Sequence, residues 1–114
     1  MQRLDILLNG AVIDKETHSF SNQIMGLLME KYGFKQDSLD MLITHLAMAH
    51  QRIKSKSKEN PVLDADSIAE MSSHHLFEEA KKIWAEISAL SDIEYPENEI
   101  EFMTAHLINL LDGE

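Results

Sequence analysis

Cysteine is absent from the 114 residues, so disulfide staples and thiolate metal sites are excluded. The same absence suits a reducing compartment, and a cytoplasmic location is expected. Breakers are scarce, with four glycines and two prolines, and no segment alternates apolar and polar residues as a half-buried strand does. Long apolar runs are also missing. No stretch approaches the roughly 20 residues that span a bilayer, so no membrane association is expected. The opening residues Met1 to Gly10 carry Arg3 and Asp5 and do not read as a signal peptide. Positive charge is in short supply: ten Lys and Arg stand against twenty Asp and Glu, a formal net charge of −10. Binding to DNA or RNA draws on cations that neutralise phosphates, so no direct nucleic-acid contact is expected.

What the chain does contain is hydrophobic content of 44%, enough for a core at the usual size of one domain. One domain over residues 1–114 is therefore expected. Charge is unevenly placed along it. Residues 1–58 hold eight cations and six acids, and residues 59–114 hold two cations and fourteen acids. The acidic half suits a basic protein partner and equally a plain soluble surface.

Apolar spacing reads as helix almost throughout. Leu4, Ile6, Leu7, Leu8, Val12 and Ile13 form an apolar opening segment to which the pattern assigns no element. Phe20, Ile24, Leu27 and Leu28 predict a helix over Ser19 to Lys31, closed by Gly33. Asp37 or Ser38 is the expected cap of a helix reaching about Ser55, with Leu39, Leu42, Ile43, Leu46, Ala49 and Ile53 inward. A loop is expected over Ser55 to Pro61, where Asn60 precedes proline. A short helix follows at about Asp66 to Ser73, capped by Asp64 or Asp66. An amphipathic helix over His75 to Leu90 turns Leu76, Phe77, Ala80, Ile83, Trp84, Ile87 and Leu90 inward. Pro96 opens the last helix, where Glu97, Glu99 and Glu101 meet the positive end of the dipole and Ile100, Met103, Leu107 and Leu110 form the buried stripe. The expected fold is all-α, a compact bundle of about five helices.

Two histidines stand out within these helices. His45 lies mid-helix in Thr44-His45-Leu46-Ala47-Met48-Ala49-His50-Gln51-Arg52. Arg52 follows by seven residues, nearly on the same face and ~10.5 Å further along the axis. Helical side chains lean toward the N-terminus, so Arg52 leans back toward His45. A phosphate on the imidazole would have a planar guanidinium fork in reach, with Lys54, Lys56 and Lys58 close behind. His106 lies at the edge of the apolar stripe of the last helix, with Met103 and Phe102 three and four residues before it. From the residues alone, each of the two is either a functional imidazole or a core-flanking histidine satisfied by hydrogen bonds. The cations after Arg52 equally complement a helix C-terminus.

Metal binding is not expected. His45 and His50 are five residues apart, not the four of a helical metal pair, and the adjacent His74 and His75 diverge by about 100° and read as surface or capping residues. His18 reads as a loop residue. Met25, Met29, Met41, Met48, Met71 and Met103 read as core filler. A small helical enzyme would need convergent cations, and the arginines are Arg3 and Arg52 alone. No phosphate loop, dinucleotide fingerprint or nucleophile elbow occurs, and no cofactor is expected.

In order, Thr44 to Ile53, Asn60-Pro61, Phe77-Glu78-Glu79-Ala80-Lys81-Lys82-Ile83 and Glu99 to Leu107 resemble the PTS regulation domain (PRD) family, over roughly residues 16 to 112. That resemblance implies an all-helical regulatory domain, not an enzyme, of the kind found in regulators of sugar-operon transcription and usually dimeric. It implies phosphorylation of histidine by HPr or by enzyme II components of the phosphotransferase system. His45 and His106 match the two phosphorylatable histidines, and Arg52 matches the arginine ending the first motif. The chain departs from the pattern at Thr44, where the family often has an acidic residue. It also shows one such domain and no RNA-binding or helix-turn-helix module, which directs the expected action to a protein partner or a dimer contact. The alternatives are a small all-helical enzyme and a protein-interaction domain that takes no phosphate.

Overall fold

A computed structural model describes residues 2–56 and 63–113. Those residues form six helices and no strand: α1 (Gln2–Asn9), α2 (Lys15–Tyr32), α3 (Gln36–Lys54), α4 (Ala65–Ser72), α5 (Phe77–Ala89) and α6 (Glu97–Gly113). The all-helical expectation holds, and the added helix is α1, built from the opening apolar segment. The chain divides into two compact units, Met1–Ser57 and Lys58–Glu114, and each is described by itself.

In the first unit α1, α2 and α3 pack on one another. α2 begins at Lys15 rather than Ser19, because Asp14 sits in extended conformation and its carboxylate accepts from Thr17 N–H at 2.8 Å, which caps the helix four residues early. Gly33 ends it in the left-handed region at φ 74°. Its N–H reaches the Met29 carbonyl, and the N–H of the buried Phe34 reaches that of Leu28, the pairing that lets glycine close a helix with an apolar residue behind it. Only three residues separate α2 from α3, so the two run antiparallel. The start of α3 differs from expectation. The cap position is Lys35, which makes no side-chain cap bond, and Asp37 lies inside the first turn. Leu4, Ile13, Phe20, Ile24, Leu28, Leu39, Ile43 and Leu46 are all buried. The expected loop begins at Ser55 and Lys56; its remainder, with Asn60-Pro61 and Lys58, lies outside the described residues.

In the second unit α5 packs along α6, and α4 also touches α6. Asp64 is the cap of α4, accepting from Ser67 N–H at 2.7 Å. Pro96 provides the carbonyl that receives Glu99 and Ile100 N–H, both at 3.0 Å, so it stands just outside α6. Ala80, Ile83, Trp84, Ile87, Met103, Leu107, Ile108 and Leu110 are buried, and Tyr95 meets Trp84 edge-on at 5.0 Å. Leu90, expected inward, is exposed, because α5 has already ended at Ala89.

The methionines do not all serve as filler. Met103 is fully buried, whereas Met29, Met41 and Met48 are exposed. No helix among the described residues is long and apolar enough to cross a membrane.

Candidate functional site

His45 and Arg52 lie in the first unit on one uninterrupted helix, α3, and both are half-buried. The buried stripe of α3 is Leu39, Leu42, Ile43, Leu46, Ala47, Ala49 and His50. His45 and Arg52 flank it on a common face, two turns apart at about 5.4 Å per turn. Thr44, where an acid was looked for, turns its hydroxyl back onto its own helix and donates to the Asp40 carbonyl at 2.7 Å. Its proton is therefore committed away from His45, as Ser and Thr within helices often are.

The C-terminal turn of α3 is fastened to the start of α2 by side chains on either side of Arg52. Gln51 Oε1 accepts from Asp14 N–H at 2.8 Å and from Thr17 Oγ1 at 3.1 Å. Lys54 Nζ donates to Asp14 Oδ2 at 2.8 Å and to Glu16 Oε2 at 3.2 Å. The Lys54 ammonium, followed by Thr17 N–H, holds the Asp14 carboxyl well below the usual carboxylate range, and Asp14 in turn raises Lys54. Asp14 is 44% exposed in this pair, so water screens it and the geometry matters more than the energy. Lys54 is already engaged by two carboxylates, and of the cations after Arg52 only Lys56 stands exposed among the described residues.

His50, weighed in the sequence only as a metal partner of His45, is a core residue of the first unit. It is 2% exposed and stacks on Phe20, centroids 4.5 Å apart. The signal was present in the spacing: His50 follows Ile43 by seven and Leu46 by four, which places it on the inward stripe. His18, read as a loop residue, is in α2. Its Nε2 lies 2.8 Å from Asp5 Oδ1, and Asn22 Nδ2 lies 3.2 Å from its Nδ1, a link between α1 and α2 that no local pattern announces.

His106 belongs to the second unit. It is half-buried on α6 and meets Phe102 edge-on at 4.7 Å, the i−4 neighbour that helix geometry puts beneath it. α6 contains no Lys or Arg, so its own helix offers a phosphate no cation. A cavity of about 270 Å³ lies between α4 and α6, lined by Ser67, Glu70, Met71, His74, Ala105, Ile108 and Asn109. His74 lies in the turn before α5, its Nδ1 accepting Leu76 N–H at 3.1 Å, which places the ring proton on Nε2. His75 stacks on it at 4.6 Å. Among the described residues no group of three or more His, Asp or Glu side chains is placed to hold a metal ion.

The family model described as PRD domain matches residues 19–110, a span that takes in α3, α6 as far as Leu110 and the larger part of both units. No curated protein and no solved structure matches the chain.

Proposed function

The chain belongs to the PRD domain family, whose members are regulatory domains of the phosphotransferase system, and on that premise we propose that it is a phosphorylation-responsive regulator in which His45 and His106 accept phosphate from HPr or enzyme II components. The two units act together as one regulatory domain, since the family match runs through both. Its donors place it in the cytoplasm. The response is read out by a homodimer contact or by a partner protein, as in regulators of sugar-operon transcription, rather than by a bound nucleic acid.

The observation that carries this reading is the placement of His45 and Arg52 on one face of α3, two turns apart, with the Arg52 turn anchored to α2 through Gln51 and Lys54. Histidine is suited to reversible transfer. The lone pair of a neutral His45 imidazole attacks the donor's phosphorus, a new N–P bond forms, and the donor's N–P bond breaks with its electron pair returning to the donor nitrogen. Each ring keeps the proton on its other nitrogen, so none has to move. Such displacements depend on in-line placement and on charge stabilisation of the three equatorial oxygens. A guanidinium supplies the second, because its fork matches two phosphate oxygens. The phosphoryl group carries a charge of about −2 against a single positive charge on the ring that has kept its proton, so the side chain gains one net negative charge, enough to bias a helix contact toward a second state.

Incubation with phosphoenolpyruvate, enzyme I and HPr tests the reading. We expect an acid-labile label that is reduced in His45→Ala and in His106→Ala and lost in the double variant. A chain that takes no label from phosphorylated HPr or from enzyme II components is not this kind of regulator.

A further inference from the structure

The cavity between α4 and α6 lies wholly within the second unit. Ser67, Glu70 and Met71 border it from α4, and Ala105, Ile108 and Asn109 border it from α6. Both triplets have the spacing i, i+3, i+4, so each is one helix face. Its apolar lining is Met71, Ala105 and Ile108, the first two half-buried and the third buried. The polar lining is uncommitted. His74 Nδ1 is taken by Leu76 N–H, which leaves Nε2–H to donate. Among the described residues neither that N–H, nor the Glu70 carboxylate, nor the Asn109 side-chain amide has a hydrogen-bond or ion-pair partner. No residue of α4 is buried, so an occupant of the cavity would supply burial that this helix lacks.

We propose that this cavity binds a small organic amine with a compact apolar body. Apolar walls with a few convergent polar groups are the ordinary make-up of a ligand pocket. Size sets the bulk of the guest. A cavity of about 150 Å³ takes up benzene, so the volume of about 270 Å³ here holds one ring with a short arm. Charge sets its sign. Glu70 is the one formally charged residue among the described residues of the lining, and residues 59–114 hold fourteen acids against two cations. A cleft of one sign concentrates ions of the other. An anionic guest would face the Glu70 carboxylate with no cation to offset it. An ammonium instead accepts Glu70 as the partner of a charge-assisted hydrogen bond, while its apolar body leaves water for Met71, Ala105 and Ile108. The site does not depend on either His45 or His106 taking phosphate.

Titration of the isotope-labelled full-length chain with phenethylamine, phenethyl alcohol and hydrocinnamate, followed by NMR, tests the site. The three probes share a ring and an arm and differ in charge. We expect the amine to shift the amides of Met71, His74, Ala105 and Asn109 saturably, with a Kd on the order of 1 mM. The alcohol should bind about fivefold more weakly, and hydrocinnamate should not bind. Glu70→Gln should weaken the amine about fivefold and bring it level with the alcohol. Ala105→Leu fills the cavity and should abolish binding of both. Glu70 is exposed, so its variant keeps the test decisive where Ala105→Leu does not fold. N-acetyl-lysine methylamide stands in for a lysine of a partner protein and should bind more weakly than phenethylamine, because its thin stem leaves much of the cavity without contacts. The proposal is overturned by equal binding of the three probes, by an amine indifferent to Glu70→Gln, or by shifts that spread over the acidic surface without saturating. Tighter binding of the lysine probe overturns it too, in favour of a protein partner.

Discussion

Arg52 is separated from His45 by two turns of α3, so its usefulness depends on the shape of its head group more than on its charge. A planar guanidinium presents two parallel N–H donors to two phosphate oxygens, while an ammonium at the end of a flexible stem presents a point charge. Arg52→Lys keeps charge and most of the apolar stem, so the half-buried position should tolerate it. We expect that variant to fold normally by circular dichroism and to hold about tenfold less phosphate on His45 at steady state, the difference between bidentate and single contacts. Equal labelling of the two proteins would show that the guanidinium fork is not used. Thr44 belongs to the same argument. With its hydroxyl proton spent on the Asp40 carbonyl, orientation of the His45 ring falls to other neighbours.

At the scale of the helix, the feature that shapes the site is the joint between the start of α2 and the end of α3. Asp14 is the N-cap of α2 and the partner of Lys54 at once. Asp14→Ala removes both roles, and we expect a loss of roughly 1 kcal/mol of stability from the cap, measured by urea denaturation at neutral pH. The Asp14 carboxyl is held below its ordinary pKa in the folded chain. Its contribution is therefore present above the unfolded value of 3.8 and is lost as the pH falls below it. The stability gap between wild type and Asp14→Ala should accordingly narrow on acidification below about pH 4. A gap that stays constant down to pH 2 would count against the ion pair.

This joint also marks the boundary of what sequence reasoning reached. Asp64 was one of the two caps expected for α4, and the body of α3, the α5 stripe apart from Leu90 and the Gly33 stop were legible, because periodicity and capping are local. The Asp14 cap was not, because the apolar spacing starts at Phe20 and nothing nearby calls for four more residues of helix. Gln51 meets Asp14 across 37 positions, and His18 meets Asp5 only because α1 folds against α2. Burial of His50 runs against residue-type habit although its spacing on the α3 stripe announced it, and exposure of Met41 and Met48 runs against the core-filler habit of methionine. His45, Arg52 and His106 were legible as motif positions, while the fastening of the Arg52 turn was not.

For the molecule as a whole, charge separates the two histidines. The formal net charge is −10, yet residues 1–58 balance near neutrality with eight cations against six acids, while residues 59–114 carry fourteen acids and two cations. A phosphate on His45 enters the first of these surroundings with Arg52 on the same helix face. A phosphate on His106 enters the second, on a helix without Lys or Arg. If both histidines accept phosphate as proposed, the same modification should be tolerated at one site and costly at the other. Single negative charges test this without any donor. His45→Asp should melt within a degree or two of His45→Asn, whereas His106→Asp should melt about 2–5 °C below His106→Asn, as a cost of some tenths of a kcal/mol or more implies for a domain of this size. Raising the salt from 0.05 to 0.5 M should close much of that second gap by screening. Equal melting shifts at the two positions, or a gap at His106 that salt leaves untouched, would mean that local packing and not the charge imbalance sets the response.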